Sequence, residues 1–167
     1  MPVEIFLKMD GVTGESRNFQ HKGWADVLSW NWALSSNRST PQQGSSENAS
    51  FNEISLIKRI GRDSPEMMKL FAARQVIPRV ELNIMPVVNK KEAKQKYLHL
   101  YMEDVIIKSI ITSGSCEEEL FKERVTLLFD RIRFEYNQHT GLGTDEPSVD
   151  HVFGWDIAAN KPTEPSQ

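Results

Sequence analysis

The groups with catalytic or metal-binding chemistry in these 167 residues are four histidines, one cysteine and a scatter of carboxylates. His21, His99, His139 and His151 stand far apart in the chain. None has a second histidine or a cysteine at ligand spacing, and neither HExxH nor CxxC occurs. The spacing predicts exposed histidines, no zinc centre and no cofactor. Cys116 is followed by Glu117, Glu118 and Glu119, acidic neighbours that disfavour a thiolate nucleophile, so the run reads as a solvated loop. Gly141-Leu142-Gly143 is a fragment of a phosphate-binding pattern without its third glycine or a following helix, and a turn explains it. No GxSxG elbow is present. Nothing in this inventory asks for catalysis, and a non-enzymatic role is expected.

Composition narrows the class further. An apolar fraction of 39% and a charged fraction of 26% suit one ordinary domain with its own core. The formal net charge of −3 offers no basic field for nucleic acid. Four lysines between 90 and 96 form a short tip without interleaved aromatics, which reads as a solvated hairpin end. No apolar run reaches membrane-spanning length, so no membrane insertion is expected. Met1-Pro2-Val3-Glu4 has neither a basic region nor an apolar leader, which predicts synthesis in the cytoplasm. One cysteine allows no internal disulfide.

The elements that must carry any function are strands. Val3, Ile5, Leu7 and Met9 alternate with Glu4, Phe6 and Lys8, and Asp10-Gly11 and Gly14 supply turn chemistry after them. Leu28, Trp30, Trp32 and Leu34 share one face of a second strand, heavy enough to be core; Val27, Ser29, Asn31 and Ala33 share the other, which should meet water or a partner. Residues 35–50 are rich in Ser, Asn and Gln and read as a long loop. A strand is expected over 51–60. A short helix follows, capped by Ser64, with Pro65 at its first position and an apolar stripe of Met67, Leu70 and Phe71. Val80, Leu82 and Ile84 mark another strand, which Pro86 assigns to an edge or a bulge. Leu98, Leu100 and Met102 give way to Val105, Ile107 and Ile111 after a step of three, and Val125, Leu127 and Phe129 give way likewise to Ile132, Phe134 and Tyr136. Irregularities at 103–104 and one extra residue near 130–131 account for both, and such bends suit a barrel. After a polar loop over 137–150, Phe153, Trp155 and Ile157 make a last short strand. The expected fold is mainly β, an antiparallel β-barrel of seven or eight strands with one short α-helix. It forms a single domain over 1–160 with a flexible tail over 161–167, and Trp30, Trp32, Phe129, Phe134 and Trp155 fill the barrel.

Several blocks carry a family resemblance. Gly14-Glu15-Ser16 with His21 resembles a "GES…H" link, and Val27-Leu28-Ser29-Trp30-Asn31-Trp32 a "VLSWSW"-like strand. Lys58, Ser64 and Pro65 fit a "K…SP" segment, residues 105–109 fit "VLVSS", Val125-Thr126-Leu127 with Phe129 and Tyr136 fits "VTLNF…Y", and Gly154-Trp155-Asp156 fits a terminal "GWD". In this order, over nearly the whole chain, they resemble the Hcp (haemolysin-coregulated protein) family, tube subunits of bacterial type VI secretion.

The resemblance implies homohexameric rings that stack into an inner tube, a VgrG-type spike protein and sheath proteins as partners, and effector proteins carried in the channel. It also implies export to the medium or a target cell without a signal peptide. On that reading Ser29, Asn31 and Ala33 line the channel, and the loop with Asn37, Arg38, Gln42, Gln43 and Asn48 makes ring-to-ring contact. The competing expectation is a small β-barrel that binds a ligand inside, which requires a hollow interior.

Overall fold

The computed structural model describes residues 3–36, 40–41, 49–87, 98–138 and 149–163. Among the described residues ten strands and one helix follow in chain order: β1 (Val3–Met9), β2 (Ala25–Asn31), β3 (Leu34–Ser35), β4 (Ser50–Phe51), β5 (Ile54–Arg59), α1 (Asp63–Ala72), β6 (Ile77–Pro86), β7 (Leu98–Ser113), β8 (Lys122–Gln138), β9 (Val149–Asp156) and β10 (Lys161–Pro162). Six of them close on themselves in the order β8-β5-β2-β1-β6-β7 and back to β8, all antiparallel. The protein is a mainly β, closed antiparallel barrel with one helix, as the strand pattern predicts. Closure rests on β8. One edge of it pairs with β7 along nearly its whole length, while the other is shared between β5 (at 122–127) and β9 (at 131–138). β9 and β10 therefore lie outside the ring, and β3 and β4 form a separate two-stranded ladder.

The interior is aliphatic. Ile54, Leu56, Val80, Leu82, Leu100, Met102, Val105, Val125 and Leu127 show no exposed surface, and Leu7, Met67, Ile77 and Ile132 join them. Each such side chain contributes about 1.5–3 kcal/mol by leaving water. The aromatic filling expected from the sequence is thus displaced. Phe129 is buried, but Trp30, Trp32 and Phe134 are half-buried at the margin of this core. Trp155 lies on β9, outside the closed ring, because β9 pairs only with the far half of β8.

Strand alternation fails where backbone irregularities switch faces. In β2 the register slips between Val27 and Ser29. Ala25 and Val27 point inward before the slip and Trp30 after it, while Leu28 is 42% exposed. Leu28 and Leu34 are therefore not core, and Val27 is, contrary to an uninterrupted period of two. In β7 the slip lies between Ile107 and Ser109, so Ile110 turns inward and Ile111, expected inside, is exposed. The irregularity expected at 103–104 is present, with Asp104 at φ 52°. The extra residue expected near 130–131 is not needed. Met102 pairs with Ile132 and Val105 with Phe129 in one register, so both strands change face together in a matched kink. Arg131 spans it, donating from Nε to Glu103 Oε2 at 2.6 Å and from its guanidinium to Asp104 Oδ2 at 2.8 Å.

Other boundaries also differ from expectation. β6 is not an edge strand; it lies between β1 and β7, and Pro86 is tolerated because it is the last residue. The strand expected over 51–60 is divided into β4 and β5. β9 starts at Val149, earlier than expected, and Lys161 and Pro162, expected at the head of the tail, pair with Asp156 and Trp155. The lysine-rich tip at 90–96 lies outside the described residues.

Candidate functional site

The outer face of the barrel carries a row of small polar side chains. Alternation in Ile54-Ser55-Leu56 and Val125-Thr126-Leu127 puts Ser55 and Thr126 on the face opposite the core, where Ser55 is half-buried and Thr126 is covered by its neighbours, at 7% exposure. Cross-strand register then aligns Asn31 of β2 with Ser55 of β5, Ser55 with Thr126 of β8, and Thr126 with Ser109 of β7. The Ser55 and Thr126 hydroxyls are 3.4 Å apart. Ser29, one step along, faces Ile57. Ser29 and Asn31 are exposed on this face, and Ala33 is exposed in the link between β2 and β3. The sequence reading found the β2 end of this row and missed its continuation. Alternation within each strand was a sufficient signal for outward direction, but only register puts the residues side by side. Beside the row, Lys108 Nζ lies 2.7 Å from Glu53 Oε1, and this hydrogen bond holds the Glu53 carboxyl below the usual range. Asn37, Arg38, Gln42, Gln43 and Asn48 lie outside the described residues.

An aromatic wall borders one side of the barrel. Trp32 packs on Phe134 and Phe129 at centroid distances of 6.2 and 6.4 Å and donates from Nε1 to the Asn52 carbonyl at 3.0 Å. Phe51 stacks on Trp155 and Phe153 at 6.0 and 6.5 Å. These contacts tie the short β3–β4 ladder to β9, so the polar loop between β3 and β4 springs from a braced base.

The link between β1 and β2 is a clamp. Gly14 donates to the Gly23 carbonyl at 2.7 Å and Ser16 to the Trp24 carbonyl at 2.9 Å. A Cβ on Gly14 would collide with the Trp24 carbonyl, so only glycine permits this approach. Glu15 reaches across to accept the Arg62 N–H at 3.1 Å at the start of α1, and Glu66 accepts the Thr13 N–H at 2.8 Å. His21, expected at the surface, is buried: its ring stacks on Phe6 at 4.3 Å and its Nε2 lies 3.1 Å from Asn83 Nδ2. His99 is also buried, with Nδ1 3.5 Å from Glu135. Both are structural, which spacing alone could not reveal.

Beneath the helix start lies a buried ionic cluster. Lys58 Nζ sits 2.6 Å from Glu123 Oε1 and 3.0 Å from Asp63 Oδ2, and donates to the Arg59 carbonyl at 2.6 Å. All three charged side chains are at most 4% exposed. Ser64, expected to cap α1, instead donates its hydroxyl to Glu123 Oε1 at 2.7 Å, and Arg62 is the N-cap residue. Two carboxylates share one ammonium, and Glu123 holds the closer place. Burial pushes the Asp63 carboxyl above its ordinary pKa despite the Lys58 charge. This cluster welds β5, β8 and α1 together. Among the described residues no group of three or more His, Cys, Asp or Glu side chains is arranged to hold a metal ion.

Comparison with known proteins follows the same lines. A family model described as "Type VI secretion system effector, Hcp" matches residues 6–136. Protein hcp1 of Pseudomonas aeruginosa is 28% identical over 162 residues, covering 96% of this chain and 98% of that one. The crystal structure of Hcp1 from Salmonella typhimurium is 30% identical with a TM-score of 0.79, covering 98% of this chain and 100% of that one. Hcp2 from Salmonella typhimurium is 28% identical with a TM-score of 0.66, covering 95% and 98%.

Proposed function

The chain belongs to the Hcp family of type VI secretion proteins and has that family's tube-protein fold, and from this premise we propose that its copies join head to tail into six-membered rings that stack into a secretion tube. The role is structural and that of a carrier, without catalysis. The observation that carries it is the filled interior. Among the described residues Leu82, Leu100, Met102 and Leu127 are fully buried and leave no room for a ligand around them, which supports external working surfaces. A ring then needs two different patches of one surface and a rotation that closes.

The outer row of Asn31, Ser55, Thr126 and Ser109, with Ser29 and Ala33 beside it, lines the channel in this reading. Small, uncharged, hydrogen-bonding groups let effector proteins bind weakly and leave. The loop bearing Asn37, Arg38, Gln42, Gln43 and Asn48 makes the ring-to-ring contact, a VgrG-type spike protein tips the tube, and sheath proteins surround it. The protein reaches the medium or a target cell through the type VI apparatus.

The test is Asn31→Arg. Rings of normal mass with reduced cargo retention are expected; unchanged retention in intact rings removes Asn31 from the channel. Deleting residues 37–48 should block tube elongation while the barrel still folds, and long tubes from the deleted protein would refute the stacking role.

A further inference from the structure

We propose that Asp63 is a proton-operated latch on the first turn of α1: its neutral carboxyl closes the buried cluster, and its ionised form is released through the cleft beside it. The inference goes beyond the ring reading and does not depend on it.

The cluster sets two carboxyl groups against one ammonium, and all three side chains are at most 4% exposed. With both carboxyls ionised it would bury one net negative charge, an arrangement that burial opposes. The hydrogen bonds decide which carboxyl takes a proton. Glu123 Oε1 accepts from Lys58 Nζ at 2.6 Å and from the Ser64 hydroxyl at 2.7 Å, and both bonds favour its ionised form. Asp63 Oδ2 lies 3.0 Å from the same ammonium, yet it accepts no hydrogen bond among the described residues. Asp63 is the first residue of α1, where the helix dipole favours a negative charge, but burial pushes its carboxyl above the ordinary value. A proton on Asp63 cancels the excess charge. It also adds a donor to a cluster in which Asp63 Oδ2 and Glu123 Oε2 are both buried and unpaired.

Charged groups surround Asp63 on every side. β5 contributes Lys58, with Arg59 further along the cleft; β8 contributes Glu123; the β1–β2 link contributes Glu15; and α1 itself carries Glu66 and Lys69, with Arg62 at its cap. Glu15 and Asp63 flank one glycine. A Cβ on Gly61 would lie 2.9 Å from Asp63 Oδ1 and 3.5 Å from the Glu15 carboxyl. An ionised Asp63 therefore meets two other carboxylates and a single buried cation. Its way out is a cleft of about 660 Å³ that runs from Lys58 and Asp63 to the exposed Asp26 and Arg59. The other ties of this turn, Glu15 to the Arg62 N–H and Glu66 to the Thr13 N–H, are exposed to water. Met67 is 1% exposed and keeps the body of the helix on the barrel, so the part that moves is 61–66.

Hydrogen exchange of the full-length protein tests this, read by mass on a peptide spanning 61–66 and corrected at each pH for the intrinsic rate. The closed latch binds one proton more than the open one. Opening should therefore grow about tenfold per pH unit between the ordinary aspartate value and the raised one, and level off beyond it. Asp63→Asn keeps a neutral side chain of the same shape and should remove the slope. Glu123→Gln, an independent variant, should remove it too, because Asp63 then faces the ammonium as the one remaining carboxylate of the cluster. Barrel peptides around Leu100 and Leu127 should stay protected across the same range. Corrected exchange at 61–66 that ignores pH, a slope that survives Asp63→Asn or Glu123→Gln, or a slope shared equally by the barrel peptides overturns the latch. None of these results bears on ring formation, which mass in solution reads separately.

Discussion

Replacing Lys58 with methionine keeps the length of the side chain and removes the one cation of the buried cluster. At 2.6 Å from Glu123 the gross attraction is about 6 kcal/mol with an effective dielectric of ~20. Desolvation offsets much of this in the intact cluster. Removing the ammonium, however, leaves Glu123 and Asp63 buried against each other without compensation, which typically costs about 3–5 kcal/mol. With a urea slope of about 2 kcal/mol/M, the unfolding midpoint should fall by roughly 2 M at neutral pH. The loss should shrink as the solution is acidified, because burial favours the neutral Asp63 carboxyl and its protonation removes one of the charges that Lys58 no longer faces. Urea unfolding of both proteins at several pH values reads this directly. A midpoint shift below about 0.5 M at neutral pH, or a loss that grows in acid, would refute the claim that this cluster holds β5, β8 and α1 together.

The remaining predictions concern the same scaffold. Burial raises the Asp63 pKa in the folded state, so the folded chain binds that proton more tightly than the unfolded one; the stability this contributes is complete below the ordinary carboxylate range and falls away as pH rises through the raised value. Asp63→Asn should therefore flatten the stability profile above the ordinary carboxylate range, as thermal unfolding at stepped pH would show. Gly14→Ala should cost about 1–3 kcal/mol, because its Cβ meets backbone that cannot turn aside, and chemical denaturation measures it. Glu15→Ala, which leaves the exposed Arg62 N–H to water, should cost about 0.5–1 kcal/mol by the same assay. Leu100→Ala should cost about 2–5 kcal/mol, since the site is fully enclosed.

The strands were legible because their apolar residues recur with period two, and the barrel because the apolar phase changes along two long strands. The phase change itself was harder to assign. A step of three from Met102 to Val105 looks the same whether one strand bulges or two strands kink together, and only the pairing of Met102 with Ile132 and Val105 with Phe129 decides. In β2 the tryptophans drew the whole strand into their phase. Ala25 and Val27 were the signal of a slip at Leu28, but small side chains weigh little beside two indoles. Lys58 and Glu123 are 65 positions apart, so their meeting is a product of the β5–β8 register, invisible to local pattern. The same holds for His21 and Asn83. Of the candidate channel face, Ser29 and Asn31 were legible as an outward pair, whereas Ser55, Thr126 and Ser109 required the sheet order to join them.

Electron microscopy of the purified full-length protein, with its mass in solution measured in parallel, tests most directly whether solid barrels assemble through their outer surfaces. Six-fold rings with an open centre are the predicted result. Discrete monomers at high concentration, with a small molecule lodged inside the barrel, would contradict it.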